Sequence, residues 1–220
     1  MFQDLNDISD GKIYTENDMV RVAANDCAGC HACCEGMGDT IILDPLDVHR
    51  LCAVTGKSFE ELMQQELELH AVEGLILPNL AMVVEKERCA FLNENSRCTI
   101  HSHRPGICRV FPLGRIYETH GIRYFLQTNA CQKSERTKKK VSKWLDMPDG
   151  KKYEQFLLRW HSLRGKLTQA LLGEQSDETK KALNLFVLRL FFITPYDTAT
   201  DFYEQFYERL AKVEKLLAEN

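Results

Sequence analysis

Cys27-Ala28-Gly29-Cys30-His31-Ala32-Cys33-Cys34 sets three thiols at intervals of three residues and a fourth directly after the third. Two residues between cysteines let a tight turn aim both sulfurs at one ion, at about 2.3 Å for zinc, and Gly29 tolerates the left-handed backbone such a turn uses. Three thiols in this pattern equally suit three corners of an iron-sulfur cubane. Unliganded core cysteines have no reason to recur at ligand spacing, so the stretch reads as a metal site around which the chain folds. Consecutive side chains of extended backbone point to opposite sides. Cys33 and Cys34 are therefore not expected to share one tetrahedral ion; one of them faces a second site, or is a reactive or bridging thiol.

Beyond this stretch stand Cys52, Cys89, Cys98, Cys108 and Cys131, nine cysteines in all, and none follows Cys131. Cys52 falls on the apolar face of a helix expected to start near Pro45 and reads as a small core residue. The other eight are ligand candidates: enough for two four-sulfur sites, or for one cubane with spare thiols. A two-cluster ferredoxin run would place a cysteine at position 37, where Met37 stands, and a radical S-adenosylmethionine motif would place one at Asp26.

With 220 residues, the chain is long enough for one or two domains and a real core. Its 44% hydrophobic and 27% charged residues argue against wholesale disorder, and a formal charge of -4 makes it a poor generic polyanion binder. The longest apolar run, 183–193, is interrupted by Asn184 and Arg189 and is too short to span a bilayer, so no membrane partner is expected. The polar, acidic start lacks the features of a secretory signal, which gives a cytoplasmic expectation. In a reducing compartment an odd number of clustered cysteines points to metal rather than disulfides.

Short elements surround the cysteines. Asp39 to Leu43 reads as a strand; Asp44 and Pro45 supply an N-cap and first-turn proline for a helix ending at Gly56. Ser58 and Glu61 form a capping box for a second helix to about His70. Arg115–Glu118 and Ile122–Thr128 alternate apolar with polar residues around Thr119-His120-Gly121, as a hairpin does. After a basic run, Lys133 to Lys143, the pattern lengthens. Tyr153, Phe156, Trp160, Leu163, Leu167 and Leu171 share one helical stripe, a second helix begins near Ser176, and Phe202, Phe206, Leu210, Val213 and Leu217 mark a third. The expected fold is α+β: an irregular metal-stabilised cysteine-cluster domain at 20–132 with short strands and helices, then a helical C-terminal region at 133–220.

These residues resemble the YkgJ-like cysteine-cluster family, a zinc- or iron-chelating domain with a C-x-x-C-x-x-C-C signature. The likeness continues through Cys89-Ala90-Phe91-Leu92, Cys98-Thr99-Ile100, Arg104-Pro105 and Cys108-Arg109-Val110-Phe111-Pro112, to Cys131 after a strand-like segment. Ala90 stands where the family usually has proline, and His101 where an aromatic is common; neither change removes a ligand. The resemblance implies metal or iron-sulfur binding by Cys27, Cys30, Cys33, Cys34, Cys89, Cys98, Cys108 and Cys131. It implies no established reaction. Flagellin lysine methylases are similar in their cysteine motif and supply an alternative enzyme reading.

Arg104 and Arg109 flank the late cysteines, where a thiolate-rich site carries excess negative charge; hydrogen bonds from arginine to sulfur would compensate it and tune a cofactor. His101 stands at ligand spacing from Cys98, yet eight cysteines already suffice, so it reads as a surface or hydrogen-bonding imidazole. Pro105 and Pro112 fix the chain on either side of Cys108. Lys133, Arg136, Lys138, Lys139, Lys140 and Lys143 have only Trp144 as a nearby aromatic and read as a solvated linker or helix face rather than a nucleic-acid platform. Three functions stay open: an iron-sulfur redox or electron-transfer module, a zinc-stabilised adaptor with a protein partner, and a protein-lysine methylase. The spacing leans toward the iron-sulfur cluster, because zinc ribbons usually pair two separate C-x-x-C knuckles.

Overall fold

The structure, a computed structural model, describes residues 5–23, 30–83, 87–133, 135–174 and 176–219, so Cys27 lies outside the described residues. A short helix α1 (Leu5–Ile8) leads into β1 (Ser9–Tyr14), and β2 (Met19–Ala23) follows. Helix α2 (Pro45–Thr55) starts as its sequence expects. Asp44 accepts the Asp47 N–H, Asp47 accepts the Asp44 N–H in return, and Gly56 ends the helix at φ 69°.

Two local expectations give way. Asp39–Leu43 is not a strand; it contributes an isolated bridge between Ile42 and Asn79. The capping box at Ser58 does form, but helix α3 covers only Phe59–Leu62. The chain then turns into β3 (Leu67–Val72), which pairs antiparallel with β4 (Leu75–Leu80) around Glu73-Gly74. Cross-strand pairing of Leu67 with Leu80 and of His70 with Leu77 outweighs the weak local preference for continuing the helix.

Two short strands, β5 (Met82–Val83) and β6 (Arg88–Cys89), pair next, and helix α4 (Gly106–Val110) carries Cys108. The expected hairpin is present as β7 (Leu113–Glu118) and β8 (Gly121–Gln127), joined at Thr119-His120, with β1 added on the far side of β8. Gly114 is required in it, since a Cβ there would fall inside the Phe125 ring. The basic run is neither linker nor helix in its centre: Thr137–Lys140 is strand β9, paired antiparallel with β2.

The C-terminal region is helical: α5 (Val141–Leu145), α6 (Gly150–Gly173), α7 (Asp177–Leu188) continuing into a π-helical turn at Arg189–Ile193, and α8 (Phe202–Ala218). All six stripe residues of α6 are buried. Buried residues before and after Cys131, from Val20 and Leu77 to Phe156 and Val213, join one hydrophobic cluster. The fold is α+β, and among the described residues no helix is long and apolar enough to cross a membrane.

Candidate metal centre

Three stretches of chain deliver cysteines to one cavity of about 560 Å³: Cys30, Cys33 and Cys34 from the first, Cys89 and Cys98 from the second, Cys108 from the third. Backbone pairing brings the first two stretches together. The Gly36 N–H donates to the Glu87 carbonyl at 2.7 Å, and Glu35 bridges Arg88, which sets Cys34 beside β6. Leu92 bridges Cys98 around a turn in which Asn93 Oδ1 accepts the N–H groups of Asn95 and Arg97. That Asx-type turn folds Cys98 back toward Cys89.

The third stretch is held from below. Asp47, on the first turn of α2, accepts the Gly106 N–H through Oδ1 at 2.8 Å, and the Gly106 carbonyl accepts from Arg115 at 3.0 Å. Gly106 has no room for a side chain, since a Cβ would collide with the Tyr153 hydroxyl. The first turn of α4, and with it Cys108, is therefore pinned to both α2 and α6.

Cys33 and Cys34 do not diverge as extended backbone would make them. They sit on a 3-10 turn, Ala32–Cys34, and their thiols hydrogen-bond to each other. The bond lowers the pKa of Cys33, which accepts it, and raises that of Cys34, which burial raises further. Burial pushes Cys89 up to about 11 and raises Cys98 and Cys108 as well, with neighbouring thiols adding to the rise. Arg104 lines the same cavity, and its charge favours the thiolates of Cys33 and Cys98.

The remaining candidates are placed differently. Cys131 is half-buried and is not part of the cavity lining; Cys52 lies on α2 against the core, also away from it. The Arg109 guanidinium is buried, and its hydrogen bonds run to the carbonyls of Arg104, Asp146 and Ser102. His101 lines the cavity and hydrogen-bonds with Arg104. Among the described residues, no three Cys, His, Asp or Glu side chains converge tightly enough to hold a single ion. Asp47 and Gly106, which position Cys108, were missed from sequence because 59 residues separate them.

The donor set is soft sulfur with a cation beside it, chemistry suited to zinc or to iron-sulfur ligation. A family model, CxxCxxCC, described as "Putative zinc- or iron-chelating domain", matches residues 26–144. No curated protein and no solved structure matches the chain.

Proposed function

The chain belongs to the CxxCxxCC family of zinc- or iron-chelating domains, and we propose that its clustered cysteines hold an iron-sulfur cluster serving electron transfer. One observation carries this reading: six cysteines line a single cavity, more soft donors than the four that one tetrahedral zinc binds. Sulfurs bound to one tetrahedral zinc at about 2.3 Å stand only about 3.8 Å apart. A cluster whose metal corners are themselves separated accepts thiolates spaced more widely around one cavity.

In this reading Cys30, Cys33, Cys89, Cys98 and Cys108 supply thiolates, with Cys27 and Cys34 completing the signature, while Cys131, outside the cavity lining, is not needed as a ligand. Arg104 offsets the accumulated negative charge, which raises the reduction potential relative to the same site without it. The bound group would supply one-electron chemistry; the chain excludes water with the apolar wall of Ile41, Leu80, Ile107 and Leu113.

The test is elemental analysis, acid-labile sulfide and a visible spectrum on anaerobically purified protein, before and after dithionite. Iron and sulfide in near-equal amounts with a reversibly bleached absorption is the expected outcome. A colourless protein with stoichiometric zinc would replace this function with a structural one.

A further inference from the structure

The basic run reads as solvated surface, yet folding gathers part of it elsewhere. Because β9 alternates its side chains, Lys139 lines a second cavity of about 370 Å³ while Lys138 and Lys140 do not. Lys143, on the next helix, joins it, and so do Arg104 and Arg109 from the segment around Cys108. Among the described residues lining this cavity there are thus four cations, and the carboxylate present is that of Asp146. Asp146 is a loose partner for Arg109: its side chain is 86% exposed and stands 4.0 Å from Arg109 Nη1.

Arg109 sharpens the imbalance. Its side chain is only 3% exposed, and the hydrogen bonds that hold it are donated to carbonyl oxygens, which orient the guanidinium without neutralising it. Arg50 donates to the Ser102 carbonyl that Arg109 also uses, bringing a further positive charge close. A buried cation whose nearest carboxylate is exposed and 4.0 Å away is costly, and an anion in the adjoining cavity would relieve it. Lys139 Nζ lies 5.8 Å from the centroid of the Trp144 ring, and Trp144 forms part of both cavities.

We propose that this second cavity is an anion site that takes a small phosphorylated ligand. Arg104, Lys139 and Lys143 would contact the phosphate oxygens, and Arg109 would add charge from the floor. Several cations converging on one cavity suit a dianion better than a monocarboxylate, and arginine's planar fork matches phosphate oxygens. The cavity admits a phosphate with a small organic remainder rather than a polymer strand. This inference does not rest on the identity of the metal, since the positive wall is present whatever the cysteines bind.

The full chain, purified with whatever metal it holds, would be titrated with inorganic phosphate and pyrophosphate at constant ionic strength, by tryptophan fluorescence and calorimetry. Saturable binding that perturbs tryptophan emission is expected. The double variant Lys139→Gln/Lys143→Gln should weaken it at least about tenfold, as expected for lost charge-assisted hydrogen bonds. Lys138→Gln/Lys140→Gln makes the same charge change on the same stretch and should leave affinity within about twofold. Equal weakening by both double variants would overturn the site in favour of diffuse charge. So would absence of saturable phosphate binding, or preferential binding of a single-stranded oligonucleotide with a steep salt dependence.

Discussion

Asp44 and Asp47 show how a local signal acquires a distant duty. The pairing of Asp44 with Pro45 announces a helix start, and the capping box forms; the same Asp47 carboxylate also accepts the Gly106 N–H that begins the Cys108 helix. Both carboxyls are raised by burial, and Asp44 further by the Asp47 charge. A carboxyl whose folded pKa lies above its unfolded value of 3.8 costs stability as pH rises through the interval between them, because there the native state holds more protons. Asp44→Asn keeps an acceptor at the cap while removing that cost. Its denaturant midpoint should exceed that of the unmodified chain at pH 7, by on the order of 1 kcal/mol in stability, and the two should converge near pH 4. Asp47→Ala orphans two buried N–H donors and should destabilise by about 1–3 kcal/mol for each. Among the cysteines, Cys52→Ser should leave metal content intact, since Cys52 is not among the cavity-lining residues. Cys98→Ser and Cys108→Ser remove soft thiolate donors from the lining and should lower metal per folded protein. Full occupancy in both of those variants would return these thiols to an ordinary packing role.

Helix α8 meets α6 through aromatic rings. Phe206 is fully buried, 4.6 Å from the Phe156 ring centroid and 5.8 Å from that of Phe191, with Trp160 at 6.3 Å. Phe206→Ala leaves a cavity among rings that have no spare neighbours to fill it, and should cost about 3–5 kcal/mol in denaturant unfolding. Metal per folded molecule should not change, because Phe206 is not among the residues lining the cysteine cavity. These helices were legible from their 3.6-residue stripes, and the β7–β8 hairpin from its alternation around Thr119-His120. The helix expected to reach His70 was not, since its second half is claimed by pairing with β4. Nor was β9: a run of lysines has no apolar alternation, and only its pairing with β2 makes Thr137–Lys140 a strand.

A shared core ties the cysteine-bearing segments to the C-terminal helices, yet the two draw on different sources of stability. The helices pack aromatic and leucine side chains on one another, whereas the stretches 30–43 and 88–110 hold little regular structure around a cavity lined by thiols. A structural metal can contribute about 10–16 kcal/mol of apparent binding free energy, comparable to the whole stability of a domain. Chelation should therefore strip hydrogen-exchange protection from 30–43 and 88–110 first, while α6 and α8 keep much of theirs; equal loss throughout would show a single cooperative unit instead. The thiols raised by burial must lose their protons to bind metal, so affinity should fall as the solution is acidified. The number and spacing of the candidate thiols, the capped helix starts and the long amphipathic stripes could be read directly, because each depends on residues near one another in the chain. The cavity depends on contacts between segments far apart: Gly36 with Glu87, Asp47 with Gly106, Lys139 with Arg104 and Arg109 across a shared wall. Spacing alone does not encode such meetings, since many pairings of short elements satisfy the same local preferences. Burial of one common core and satisfaction of its backbone hydrogen bonds choose among them.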